Sequence, residues 1–485
     1  MADLTAGAVI RSWENWLVAG EALRREDNAT MIDFYEGGTS VYDYIEQRRR
    51  ESDDQWEDRQ KRLRQLNICR MIPDRIMHAL YGGKINRESD YAKHEDIMDI
   101  YKKNKAQLFF QQVALSASVL GTALVKPYIN VKEEIRLTTP ISISDCYPIL
   151  SGYDYEILDM MLIQVATEDY DVNTGRSTPA MRKEIYTDEE TAIYINDELV
   201  NNDDELGIVN PYGVIMWTKF PGRFGAERGD YWGLSDIRDV VEVAKFINEL
   251  CSFLDELVEK QAHSTLFTRG IIADGNKAAT GPSVFINVKD EFGEAKYITP
   301  EPKLDEILNI VESLLKHAFE VGCIPSVSVV SGEGVKSGIA LLIEYKPFLD
   351  LVKQRQLLFE EAEIELYKKV ALAEEYKRTG KVFSPEAAQE FMDKINVTIE
   401  FPSEYFPQDT KEGIEQDMMA IDAGFSTLKR KLRERYPDMT DVEIDALYQE
   451  VQDEKASSAY NTGFEETDPE KKKAANNTKE KEEGK

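Results

Sequence analysis

Between Ser235 and Ser264 the chain reads SDIRDVVEVAKFINELCSFLDELVEKQAHS, with Ile237, Val240, Val241, Ala244, Ile247, Leu250, Leu254, Leu257 and Val258 at three- and four-residue spacing. That period places them on one face of an α-helix. Gly233 breaks the chain before it, Ser235 can cap it, and Asp236 then sits in the positively polarised first turn. At 1.5 Å per residue such a helix is roughly 45 Å long, whereas ordinary globular helices run to about 10–14 residues. A stripe of that length needs an equally long surface to cover it.

The neighbouring segment does not provide one. Residues 265–303 read as short strands and turns, too few to hold a good core alone, and are expected to pack on something else, including copies of themselves. A second helix is predicted from Leu304 to Val321, with Leu304, Ile307, Leu308, Val311, Leu314, Leu315 and Phe319 on one face. Then comes the glycine-rich stretch SVVSGEGVKSGIALL, Ser328 to Leu342. A phosphate-cradling P-loop needs G-x-x-x-x-G-K-[ST], but Lys336 does not follow a glycine. Gly332, Gly334 and Gly338 also miss the G-x-G-x-x-G spacing of a dinucleotide site. A third and longest helix begins after Ser337, its natural N-cap; Pro347 should kink it and Gly380 can close it.

The rest of the chain frames these helices. Helical periodicity recurs from Gly7 to about Arg25 and from about Ser52 to Leu80, where ESDDQWEDRQKRLRQ reads as a solvated, mixed-sign face. The glycines of YGGKI can end a helix in the left-handed conformation. From about Gly121 to Val200 strand signals dominate: TALVKPYI and RLTTPISIS, with Pro127 and Pro140 marking edges or breaks, then an antiparallel meander. After the strand NVTIEF come short helices, with capping-box spacing at Asp409/Glu412 and Thr440/Glu443 and separators at Gly424 and Pro437. The fold class is therefore α+β and predominantly helical.

Composition narrows the function. Hydrophobic residues at 42% suffice for a core, and no run of about 18 uncharged apolar residues marks a membrane span. The N-terminus lacks the basic and apolar regions of a signal peptide. Cys69, Cys146, Cys251 and Cys323 stand singly, which suits packed thiols in a reducing compartment. Ninety acidic residues against 59 basic ones give −31, which argues against gripping a polyanion.

One family shows this order. A mixed body leads into GLSDIRDVVEVAKFINELCSFLDELV, a small β insert, a returning helix, a small-residue loop ending SGIALL, a long helix and C-terminal helices of the type DMMAIDAGFSTLKRKLRERYPDMTDVEID. With FYEGG and LNICRMIPDRIMHALYGG near the N-terminus, the chain resembles a portal protein of tailed bacteriophages over about residues 30–455. The resemblance lies in the order of several weak features and implies a closed homo-oligomeric ring, usually a dodecamer, at one vertex of the virion capsid, assembled in the host cytoplasm. Its parts would be a wing (1–232), stem helices (233–264 and 304–322), a clip (265–303), a tunnel loop (323–338), a long kinked helix returning to the wing (339–408), a crown (409–455) and a disordered charged tail (456–485).

By the same resemblance Ser331, Gly332, Glu333, Gly334, Val335, Lys336 and Ser337 would face double-stranded DNA in the channel, with Pro347 at the kink. Asp274, Asn276, Lys277, Lys289, Asp290 and Glu291 of the clip would face the terminase large subunit and later the head–tail adaptor. Major capsid and scaffolding proteins would be further partners, with no membrane and no cofactor.

The physical reading agrees. Repeated around an axis, two one-faced helices bury their stripes on neighbours. An acidic wall lets DNA slide without holding it, and glycines give freedom where many copies of a loop crowd together. Lys336 reads equally as a sparse phosphate contact or a solvated lysine. The rival classes are a hydrolase and an acidic helical scaffold without a channel. For the first, His78, His94, His263 and His317 form no catalytic or metal motif, and Asp203, Asp204 and Glu205 read as an exposed turn, so no catalytic or metal residue is assigned.

Overall fold

The computed structural model describes residues 5–17, 20–49, 51–61, 63–154, 156–171, 176–200, 208–225, 230–262, 265–269, 294–298, 304–325 and 338–402, and between 403 and 485 residues 418, 419, 421, 424, 426–435 and 444–449. The chain divides into two units, Met1–Pro402 and Ser403–Lys485.

In the first unit the N-terminal helical region is broken up. α1 (Ala6–Arg11), α2 (Trp13–Trp16) and α3 (Gly20–Glu36) replace the single helix expected around Gly7–Arg25. The cause is tertiary. Trp13 is buried and its indole N–H donates to Gln164 at 2.5 Å, while the Ser12 hydroxyl donates to the Ala8 carbonyl oxygen and accepts from Trp16. α4 (Asp53–Gln60) carries a reciprocal Ser52/Gln55 capping box, and α5 (Met71–Tyr81) comes next. Between them the chain is extended because α8 (Arg238–Ala262) satisfies its backbone: Asn248 accepts from the Leu66 N–H at 2.9 Å and Ser252 from that of Arg64 at 3.3 Å. The face expected to be solvated is partly buried, since Arg59 pairs with Glu51 at 2.7 Å inside the fold. α5 ends at Gly82 with φ −76°, so the left-handed cap expected at YGGKI does not form.

β1 (Asn86–Ser89), α6 (His94–Lys103) and α7 (Ala106–Leu120) lead to the sheets. β2 (Thr122–Ile129) is central between β3 (Ile135–Thr138) and β9 (Thr218–Pro221). Pro127 fits this central strand because β9 pairs only with 122–125, leaving one side open beyond Val125. The predicted meander is β4 (Cys146–Leu150), β5 (Leu158–Asp171), β6 (Arg176–Tyr186), β7 (Thr191–Ile195) and β8 (Glu198–Leu199), all antiparallel. Pro179 likewise lies beyond the reach of β7, which pairs with 182–186.

Both faces of the meander are covered. Met160, Leu162 and Ile185 lie under Ala6, Val9 and Trp13, while Met161, Ile163 and Val165 face Leu124, Ile215 and Trp217. Alternation along β5 thus fills two cores with one strand. β10 (Thr265–Arg269) and β11 (Glu294–Ile298) form a separate antiparallel hairpin, followed by α9 (Leu304–Val321), α10 (Gly338–Thr379), α11 (Pro385–Asp393) and β12 (Val397–Glu400), the last pairing back on β1. Tyr81, Phe110, Phe220 and Phe359 form an aromatic cluster joining α5, α7, β9 and α10, with ring centroids 5.3–6.1 Å apart.

The second core contains a half-buried cation. The Lys126 ammonium lies 4.2 Å from the Tyr186 ring centroid and 4.8 Å from that of Trp217, and donates to the Tyr186 hydroxyl, which donates in turn to Glu184. Burial brings its pKa down to about 8 against a partial upward pull from Glu184. Below pH 8 the ammonium is charged in both folded and unfolded chains and its burial opposes folding. As pH rises from about 8 towards 10.5 the folded form loses its proton first, so that cost disappears. Lys126→Met is therefore expected to gain about 1–3 kcal/mol at pH 7, and the gain should shrink towards pH 10 in urea unfolding. A gain independent of pH would assign the effect to packing alone.

The second unit contains α12 (Leu428–Arg435) and a helical segment, 444–449, with Ile444 fully buried. Gly424 has φ +76°, which suits its expected role as a separator. The capping boxes at Asp409/Glu412 and Thr440/Glu443, Pro437 and the charged tail lie outside the described residues.

Candidate functional site

The long helix α8 is held at its root by a buried charge. Asp236 does not occupy a helical first turn: the helix starts at Arg238, and the Ser235 hydroxyl accepts from the Ile237 N–H at 3.2 Å. Its carboxylate instead accepts two 2.9 Å bonds from Arg355 of α10, one at 2.5 Å from Ser118 of α7, and pairs with Arg223 at 2.7 Å. Its own N–H donates to the Ser118 carbonyl oxygen at 2.9 Å. These ties draw residues 235–237 into the body and delay the helix to Arg238.

Along α8 the burial changes. Val240, Val241, Ala244, Ile247 and Asn248 are buried, but Leu250, Leu254 and Leu257 are only half-buried and Val258 is exposed. α9 packs against α8, with Val311, Ala318 and Phe319 buried, yet Leu308 and Ile310 are each about half exposed. Helix, hairpin and helix thus follow one another as an α–β–α segment whose apolar surface is incompletely covered among the described residues.

The exit from α9 is fixed. The Ile324 N–H donates to the Phe319 carbonyl oxygen at 2.8 Å and the Cys323 N–H to that of Glu320 at 3.0 Å, the two bonds of a Schellman motif. Ile324 and Phe319, the apolar pair that accompanies it, are both buried. Cys323 takes the left-handed position with φ +56°, where glycine is favoured. Cys323→Gly is therefore expected to raise stability by about 0.5–1 kcal/mol, the left-handed strain relieved exceeding glycine's entropy. Cys323→Val should lower it in the same thermal melts; equal melting of all three chains would contradict the strain.

α10 runs from Gly338 to Thr379 with Pro347 inside it. In its deep half Glu363 is fully buried and accepts 2.6 Å from the Tyr81 hydroxyl and 2.7 Å from Arg87. Burial and that carboxylate push the Tyr81 phenol well above its usual range. Lys369 donates to the Trp217 carbonyl oxygen at 2.7 Å. Towards the N-terminus cover thins: Ile343 is 68% and Leu357 65% exposed, and between 343 and 351 only Phe348 is buried. The helix is closed by Gly380, φ +63°, whose N–H donates to the Tyr376 carbonyl oxygen at 2.8 Å.

The residues singled out from sequence distribute unevenly. Pro347 lies near the thinly covered end of α10. Ser331 to Ser337 of the loop, and Asp274, Asn276, Lys277, Lys289, Asp290 and Glu291 of the insert, lie outside the described residues, as do His263, Asp203, Asp204 and Glu205. What is described brackets them: the loop is entered from the fixed end of α9 and left through α10, and the insert is framed by β10 and β11.

His94 is accounted for by a 2.9 Å bond to the Tyr367 hydroxyl. A cleft of about 930 Å³ between the meander and α10–α11 is lined by carboxylates including Glu156, Asp159, Asp188 and Asp230. Among the described residues no group of three histidines, cysteines or carboxylates is placed to hold a metal, and no helix is long and apolar enough to cross a membrane. The four cysteines are free thiols. Burial pushes that of Cys69 up to about 12.

No curated protein matches the chain. Among solved structures, a chain titled "Virion of native gene transfer agent (GTA) particle" is similar at 10% identity and a TM-score of 0.42, covering 83% of this chain and 90% of that one. Chains from "Neck of empty GTA particle computed with C6 symmetry" (11% identity, TM-score 0.41, 74% and 86% covered) and "Neck of native GTA particle computed with C12 symmetry" (10%, 0.37, 78% and 88%) are also similar. The family model described as "Phage portal protein, SPP1 Gp6-like" matches residues 14–462, and with that span matched the chain belongs to the phage portal protein family.

Proposed function

We propose that this portal protein, a structural component of a phage-like virion, works as a closed ring at one capsid vertex whose centre is a channel for double-stranded DNA. The observation that carries the reading is the apolar surface left on α8 and α9 and on the outer half of α10. Leu308, Ile310, Ile343 and Leu357 are about half exposed or more on elements otherwise built to pack. Neighbouring copies repeated around an axis would cover these faces by one heterologous contact.

In this reading α8 and α9 are the stem, the hairpin of β10 and β11 belongs to the clip, and residues 323–338 form the loop nearest the DNA. Residues 1–232 with 339–408 form the wing, 409–455 the crown and 456–485 a charged tail. Pro347 bends the long helix where it leaves the body, because it removes a backbone donor and crowds the preceding turn. The clip residues 274–291 meet the terminase and, after packaging, the head–tail adaptor. The acidity, −31 overall, keeps the wall from holding phosphates. The protein channels DNA and performs no chemistry on it.

Negative-stain electron microscopy of the purified full-length chain tests the reading. Closed rings with a central hole are expected. Monomers or dimers at high concentration across several salt levels would favour an acidic interaction protein with some other partner for its apolar faces.

A further inference from the structure

α12 reverses the charge of the chain locally. Its sequence LKRKLRER holds five cations, Lys429, Arg430, Lys431, Arg433 and Arg435, against Glu434. No eight-residue window elsewhere in this −31 chain holds five. Residues 59–66 come nearest, and there Arg59 is buried on Glu51. The helix also sorts its side chains: Lys429, Arg430 and Arg433 are exposed, whereas Leu428 and Leu432 are half-buried. At 3.6 residues per turn the three exposed cations fall within about 100° of arc, and the two leucines share a separate face. The 429/433 and 430/433 spacings make these cations neighbours, with Cβ atoms about 5–6 Å apart. Lys429 pairs with Asp445, both side chains half exposed, and Arg430 and Arg433 have partners as well; at such exposed positions water and salt loosen these contacts readily.

We propose that this face of α12 binds the phosphate backbone of duplex DNA, an inference that rests on the portal reading above. A polyanion with closely spaced phosphates is the complement of clustered cations on a chain that elsewhere repels it. Two of the three are arginines, whose planar forks match phosphate oxygens and hold them better than a point charge. Backbone contacts carry no sequence information, so binding is indifferent to sequence, as a genome conduit requires. The rest of the chain resists gripping DNA, and this helix supplies a localised hold.

Anisotropy of a labelled duplex oligonucleotide titrated with the full-length protein at 50 and 200 mM salt tests this. Arg430→Gln with Arg433→Gln should weaken binding tenfold or more at 50 mM and reduce the salt slope by about two, since two phosphate contacts are lost per helix. Glutamine keeps helix propensity, and Arg430→Lys with Arg433→Lys should retain most of the binding. Lys102→Gln with Lys394→Gln, which removes the same charge from exposed sites elsewhere, should change affinity less than twofold.

The inference is overturned if wild-type protein does not bind the duplex at 50 mM, if the glutamine pair binds within twofold of wild type, or if the control loses as much. It is also overturned if polyglutamate displaces the duplex as well per charge as unlabelled DNA, which would make the face a dock for an acidic protein. Rings seen by microscopy in the same samples, with DNA affinity unchanged by the glutamine pair, would sink this inference and leave the portal reading standing. Loss of affinity in a chain that forms no rings would do the reverse.

Discussion

Replacing Asp236 by alanine is expected to lower the stability of the full-length chain by about 3–5 kcal/mol, the cost of leaving buried charges without their partner. The carboxylate accepts from Arg355 and Ser118 and pairs with Arg223, and its removal strands two guanidinium groups, that of Arg355 fully buried. It also frees the root of α8, since the same residue turns the chain into that helix. Urea unfolding measures the loss, with Asp350→Ala as reference, because the Lys346–Asp350 pair is exposed and worth less than about 1 kcal/mol. If the two variants unfold at similar urea concentrations, the arginines have found other partners and the cluster is not what anchors the helix.

Gly121→Ala should be of similar size, about 3 kcal/mol or more, for a different reason. Gly121 has φ +79°, and a Cβ there would run into the Gly233 carbonyl oxygen. Gly222 and Gly233 meet at the same point, where the Gly222 N–H donates to the Gly121 carbonyl oxygen at 2.6 Å. Three backbone segments, the end of α7, the end of β9 and the approach to α8, cross where no side chain fits. Gly380→Ala separates conformation from crowding, since Gly380 has φ +63° but open space around it. It should cost only the left-handed penalty of about 1–2 kcal/mol. Equal thermal shifts for the two alanine variants would show that crowding contributes nothing at the crossing.

The features legible in the sequence were those set by a local period or a single backbone requirement. The stripe of α9 gave its bounds at Leu304 and Val321, and Gly380 closes α10 because the position demands positive φ. The alternating strands of the meander follow their residues closely, Pro127 sits where one side of its strand is open, and Pro140 falls just past the end of β3. What could not be read was decided by contacts distant in sequence. Asp236 looked like a helix-dipole acid because its partners Ser118 and Arg355 lie more than a hundred residues away on either side. The chain between α4 and α5 is extended because Asn248 and Ser252 capture its backbone, which no pattern within 60–71 reveals. The candidate site shows the same division: the helices bracketing the loop and the insert were visible as periods, whereas the anchor holding them was not. The cations of α12 were in plain view, but their sorting onto one face became clear only with Leu428 and Leu432 on the other.

The uneven cover of α10 means that one uninterrupted helix spans two regimes of local opening. Residues 362–373 include Ala362, Glu363, Leu366, Tyr367, Lys369, Val370, Ala371, Leu372 and Ala373, all buried, so their amides exchange with solvent hydrogen only when the body itself opens. The turns around 343–351 have little side-chain cover in a single chain and can fray independently, Pro347 having already removed one of their hydrogen bonds. Protection against exchange should therefore fall along the helix towards Gly338 in the free subunit. It should rise there, and far less in 362–373, when neighbouring copies close over it, so that the outer half of α10 records assembly while the inner half records folding.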